Sequence, residues 1–133
     1  MKLGICNGQV IDPGTGVDGF KDVWIENRTI VAIGKQPEGF VAEKTIDASS
    51  KFVCPGFVDL GARLREPGEE HKATIESELL AAAAGGFTTV CCLPDTNPVI
   101  DTPAVIELIS QRANQVKGSR VKCIGALTQN LEG

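Results

Sequence analysis

The chain has 133 residues, 42% of them hydrophobic and 23% charged, with a net charge of −4, a balance that fits a folded globular domain and argues against a disordered or fibrous chain. No apolar run approaches the ~20 residues a membrane span requires, and the start Met1-Lys2-Leu3-Gly4 lacks the pattern of a signal peptide. Without a basic cluster there is no electrostatic footprint for nucleic acid or an anionic membrane, so neither partner is expected and a cytoplasmic location is.

Residues 1–52 read as an N-terminal β subdomain of short strands. The sequence predicts strands over Leu3 to Val10, Phe20 to Glu26 and Ile30 to Ile33, with Asp12-Pro13-Gly14-Thr15-Gly16 as a loop. Asn27-Arg28-Thr29 is a short polar turn between β-branched runs, which predicts a hairpin. A polar stretch around Pro37, Glu38 and Gly39 precedes a further strand at Thr45 to Asp47.

Residues 53–133 alternate strand and helix, beginning with Phe57-Val58-Asp59-Leu60 after Pro55-Gly56. Ala73 to Ala84 is rich in helix formers, sets Ile75, Leu79 and Ala83 at a spacing of four, and stops at Gly85-Gly86. Phe87 to Leu93 is a continuous apolar and β-branched run, the pattern of a strand covered on both faces in a parallel sheet. Thr102 and Pro103 supply an N-cap and a first-turn proline for a second helix, with Val105, Ile106, Ile109 and Val116 as its buried stripe. Val121 to Leu127 reads as a third strand. Successive βα units of this kind imply a parallel sheet.

Cys6, Cys54, Cys91, Cys92 and Cys123 form no Cys-x-x-Cys pair, and their odd number argues for reduced thiols. Cys91 and Cys92 are neighbours in a strand, so their side chains point to opposite faces, which suits packing and not joint metal ligation. His71, the only histidine, cannot build a metal site alone and reads as a solvated residue. Gly85-Gly86 ends a helix instead of starting one, so it terminates that helix and does not cradle phosphate.

The stretch Pro55-Gly56-Phe57-Val58-Asp59-Leu60-Gly61-Ala62-Arg63-Leu64-Arg65-Glu66-Pro67-Gly68 resembles the signature of dihydroorotases among the cyclic amidohydrolases, Pro-Gly-Phe-Ile/Val-Asp-x-His-x-His-Leu-Arg-Glu/Asp-Pro-Gly. The likeness continues through Ala81 to Val90, Leu93 to Pro98 and, more loosely, Gly125 to Gly133. The resemblance implies an α/β chain forming the N-terminal part of a TIM-type (β/α)8 metal-dependent hydrolase barrel, preceded by part of a small β-sandwich that both chain ends build. Such a barrel typically needs ~250 residues, so this chain is expected to cover only its first three strands. The implied reaction is the reversible cyclisation of carbamoyl aspartate to dihydroorotate in pyrimidine synthesis, through a metal-bound hydroxide.

Two departures from the signature bear on that activity. The His-x-His works in the family because residues i and i+2 of a strand point to one side and converge on one ion. Here those positions are Gly61, without a ligand atom, and Arg63, a permanent cation with donors only. Arg63 is expected to pair with a carboxylate such as Asp59 or one on a later strand. The asparagine that in the family helps to bind the substrate carboxylate is Asp95 here, so attraction becomes repulsion. Arg65 matches the family's substrate-binding arginine, and a structural ion pair with Glu66 or Asp95 is the competing reading. The resemblance therefore implies a non-catalytic relative with a vestigial substrate site at Arg65 and Asp95 and no metal or other cofactor in this chain. Its expected partner, carried by resemblance alone, is aspartate transcarbamoylase, for which it would be a structural or regulatory subunit; a homo-oligomer is also compatible. The alternative is an active cyclic amide hydrolase that holds zinc through ligands from later strands.

Overall fold

A computed structural model of the chain describes residues 1–132, which fall into two compact units dividing between Pro55 and Gly56. The division lies beyond residue 52 because Phe52 and Val53 pair with a strand of the first unit.

The first unit holds β1 (Lys2–Cys6), β2 (Gln9–Asp12), β3 (Val17–Phe20), β4 (Val23–Glu26), β5 (Thr29–Ile33), β6 (Lys44–Asp47) and β7 (Phe52–Val53). They form two sheets, β5-β4-β1-β6 and β3-β2-β7. Two expected strands are each split. Leu3 to Val10 breaks at Asn7, whose φ of 65° is left-handed, a backbone that Asn tolerates better than most residues, and whose side chain donates to Asp47 Oδ1 at 3.0 Å. Phe20 to Glu26 breaks at Lys21-Asp22, where the Lys21 amide donates to the Gly8 carbonyl and Asp22 accepts from the Asn7 amide. Each break lets the chain pass from one sheet to the other. The expected hairpin is present as β4–β5, with Glu26 opposite Thr29 and positive φ at both Asn27 and Arg28, the backbone of a two-residue primed turn. Trp24 anchors the unit: it is buried, its indole donates to the Gly34 carbonyl at 2.9 Å, and Phe40 packs edge-on at 5.5 Å.

The second unit is a parallel sheet, β10-β9-β8, made of β8 (Phe57–Ala62), β9 (Phe87–Cys92) and β10 (Arg120–Cys123), with α1 (Ile75–Ala84) and α2 (Pro103–Asn114) as the connections. The run Val121 to Leu127 ladders only to Cys123, because the Ala126 amide turns away to the Ile100 carbonyl. A capping box starts α1: Thr74 Oγ1 accepts from the Ser77 amide while Ser77 Oγ accepts from the Thr74 amide. Thr102 stands at the N-cap of α2, but its side chain makes no capping bond, leaving Pro103 in the first turn as the start signal.

The core consists of Leu64, Ile75, Leu79, Val90, Cys92, Ile100, Val105, Ile109 and Ala113. On α1 the buried stripe runs Ile75, Leu79 and Ala82, with Ala83 exposed, since seven residues bring a helix closer to full turns than eight do. On α2 Ile106 lies on the exposed flank and Ala113 takes its place in the stripe. β9 is buried on its helix face through Val90 and Cys92, while Thr89 and Cys91, which alternate with them, are half-buried in this chain. Close backbone approach explains Gly56, where a Cβ would lie 2.0 Å from Thr88 Cγ2. Leu79→Ala is expected to destabilise the fold by about 2–4 kcal/mol, whereas Leu80→Ala, on the same helix but half exposed, should cost under about 1 kcal/mol. Urea denaturation followed by circular dichroism compares the two.

Candidate functional site

The site lies where β8 and β9 end. Ala62 pairs with Cys92, and the Leu93 amide donates to the Ala62 carbonyl at 3.1 Å, so the segments that follow the two strands emerge side by side. Between them is a narrow cleft, lined by Arg63, Arg65, Pro67, Glu69, Asp95 and Thr96 together with Leu64 and Leu93.

Gly61 is an exposed position on β8 with Leu93 Cδ2 the nearest atom a Cβ would meet, at 3.9 Å. Its amide donates to Asp59 Oδ1 at 2.9 Å, which engages the carboxylate that was one expected partner for Arg63. Arg63 turns instead to the end of the neighbouring strand, where its Nε donates to Asp95 Oδ2 at 2.6 Å. That bond and the charge of Asp95 raise the Arg63 pKa above its ordinary value, so the side chain is cationic throughout the range where proteins work. Arg65 pairs neither with Glu66 nor with Asp95. Its Nη1 donates to Glu69 Oε2 at 2.8 Å, and Lys72 reaches the other oxygen of the same carboxylate. These two cations, Lys72 before Arg65, hold the Glu69 carboxyl below its ordinary pKa. Sequence reasoning omitted Glu69, although its position four residues after Arg65 is a spacing at which opposite charges meet in a helical turn.

The loop after β8 is tightly determined. Arg65 has φ 65° and Gly68 φ 108°, both in the left-handed region. At Gly68 a Cβ would lie 2.6 Å from Asn97 Cβ, so only glycine allows the two loops to meet, and the Asn97 amide then donates to the Pro67 carbonyl at 3.0 Å. Glu66, in the midst of the motif, serves the fold. Its Oε2 accepts from the Ile75 amide at 2.7 Å, in the first turn of α1, and its Oε1 from Arg112 Nε at 3.3 Å, in the last turn of α2. One carboxylate thereby satisfies a helix-start donor and joins the two helices to the site loop.

The donor set does not fit a metal. Gly61 offers no atom, Arg63 offers only donors, and among the described residues no cluster of three or more His, Cys, Asp or Glu side chains is placed to hold an ion. His71 is exposed before α1. The five cysteines are free; burial pushes the Cys92 thiol up to about 11 and raises Cys123, which makes both poor thiolate sources. Glu66→Ala is expected to destabilise the second unit by about 1–3 kcal/mol through the unsatisfied Ile75 amide, and Glu66→Gln by less because the amide oxygen still accepts. Denaturation midpoints of the two variants give the comparison.

The dihydro-orotase-like family model matches residues 50–130. The chain is 50% identical over 133 residues to dihydroorotase-like proteins of Pseudomonas putida and Pseudomonas aeruginosa, and 44% identical over 133 residues to a dihydroorotase of Trichlorobacter lovleyi, covering 100% of itself in each comparison. It spans 31% of the length of each of these relatives. Among solved structures it superposes on an L-hydantoinase (dihydropyrimidinase) from Arthrobacter aurescens with a TM-score of 0.78 and 26% identity, covering 97% of this chain and 29% of that one. A D-hydantoinase gives a TM-score of 0.76 at 29% identity, covering 98% and 29%. With its motif at the β8 end, its family match and its relatives in agreement, the chain belongs to the dihydroorotase-like family of cyclic amidohydrolases.

Proposed function

We propose that the protein to which this chain belongs is a dihydroorotase-like component of de novo pyrimidine synthesis that has given up catalysis and serves aspartate transcarbamoylase as a structural or regulatory subunit. In this reading the parallel unit opens a (β/α)8 barrel whose later strands belong to the remainder of the protein, as the 31% share of the relatives' length supports. The observation that carries the loss of catalysis is the Arg63–Asp95 pair. A fixed cation stands where the family motif has its second histidine, and its partner is the residue that replaces the family's substrate asparagine. Arg65, the remaining element of the substrate site, is engaged by Glu69.

Two further considerations support the reading. The relatives at 50% identity are named dihydroorotase-like proteins, whereas those at 44% and 45% are named dihydroorotases. A fold freed from its chemistry retains its outer surface as a scaffold, since fold and function are separable. The partnership itself stands on family resemblance and identifies no residue.

Elemental analysis of the full-length protein is expected to find no stoichiometric zinc, with no turnover of carbamoyl aspartate, and co-expression with aspartate transcarbamoylase should give a joint peak in size-exclusion chromatography. About one zinc per chain together with turnover would establish the active hydrolase with ligands from later strands, and two separate peaks would remove the subunit role. Gly61→His with Arg63→His should restore only part of the chemistry, since the anion at residue 95 still opposes the substrate carboxylate, and Asp95→Asn should be needed as well. Activity restored by Asp95→Asn alone would contradict the inactivation ascribed to residues 61 and 63.

A further inference from the structure

The charged side chains lining the cleft cancel. Arg63 and Arg65 supply two cations, Asp95 and Glu69 two anions, and each arginine is bonded to one carboxylate. We propose that Asp95 is an internal ligand of this cleft: its carboxylate occupies the Arg63 guanidinium from within the chain and keeps small external carboxylates out. The inference builds on the reading of the cleft as the remnant of a substrate site, and it concerns binding, not catalysis or assembly.

Three observations carry it. First, the contact is direct and short, with Arg63 Nε 2.6 Å from Asp95 Oδ2, and a carboxylate is the natural complement of a guanidinium edge. Second, the two residues come from different strand ends, and the Asn97–Pro67 backbone bond and the close approach of Asn97 to Gly68 hold those ends together independently of the ion pair. Asp95 is thus kept at a high local concentration beside Arg63, which an external anion must overcome. Third, Arg65, the other guanidinium lining the cleft, is bonded to Glu69, so Arg63 is the cation whose availability Asp95 decides.

The consequence is a site that an Asp95→Asn substitution switches from neutral to anion-binding. Titration of the full-length protein with malonate, a small dicarboxylate, with malonamide as the uncharged control, tests it. The Asp95→Asn variant should bind malonate about fivefold or more tightly than the unaltered protein, should ignore malonamide, and should lose the gain in ~1 M salt or when Arg63→Gln is added. In the unaltered protein the Arg63 Nε–H resonance should stay in place during the same titration, which provides a readout even if the variant folds poorly. Equal malonate binding by the unaltered protein and Asp95→Asn, a gain that survives Arg63→Gln, or displacement of the Arg63 resonance by malonate in the unaltered protein would each overturn the proposal. Because none of these readings involves zinc, turnover or the transcarbamoylase, the internal ligand and the subunit role can fail separately.

Discussion

The parallel register of β8 on β9 is the constraint on which the second unit depends. Once Ala62 lies opposite Cys92, the residues after each strand must leave the sheet at the same end and at neighbouring positions. Parallel strands need a connection long enough to return the chain to the starting edge, and α1 supplies it, burying Ile75 and Leu79 against the sheet. The site is therefore a by-product of strand pairing: Arg63 meets Asp95 across 32 positions of sequence because their strands are neighbours.

Packing at both ends of the sheet reinforces this arrangement with few residues. Ser119 is the buried polar residue of the unit, and its hydroxyl donates to the Phe87 carbonyl at 2.6 Å, fixing the approach to β10 against the start of β9. Glu66 joins the loop to both helices, and Gly68 admits Asn97. The Leu-Arg-Glu-Pro-Gly part of the motif consequently carries two kinds of information. Glu66 and Gly68 hold the backbone, while Arg63 and Arg65 line the cleft. This explains how a chain can keep the family fold with Gly61 and Arg63 where the family motif has its histidines: neither Gly61, on β8, nor the Arg63 side chain makes the contacts by which Glu66 and Gly68 hold the loop.

Under the proposed loss of catalysis, Gly61 and Arg63 at the positions of the family motif's two histidines also have an electrostatic logic. A metal site concentrates positive charge at the end of a strand, where anionic ligands approach. Arg63 retains a positive charge there, but of a kind that cannot coordinate an ion or polarise a carbonyl as a Lewis acid does. Asp95 balances it locally. Neither side chain is deeply buried in this chain, and an ion pair of that kind contributes little to folding.

Much of this was legible in the sequence because it depends on local chemistry. The hairpin at Asn27-Arg28-Thr29, the apolar run of β9 and Pro103 in the first turn of α2 follow from residues and their immediate neighbours, and the missing ligand atoms at Gly61 and Arg63 follow from side-chain chemistry alone. The tertiary structure decided what depends on partners distant in sequence. Asn7 and Lys21-Asp22 break their strands because two sheets share the chain there, and Phe52-Val53 belongs to the first unit because β2 is its partner. Arg63 could have met Asp59 on its own strand, and Arg65 could have met Glu66 or Asp95. Residue types show that a guanidinium wants a carboxylate; strand register and loop backbone decide which carboxylate comes within reach, and they gave Asp95 to Arg63 and Glu69 to Arg65.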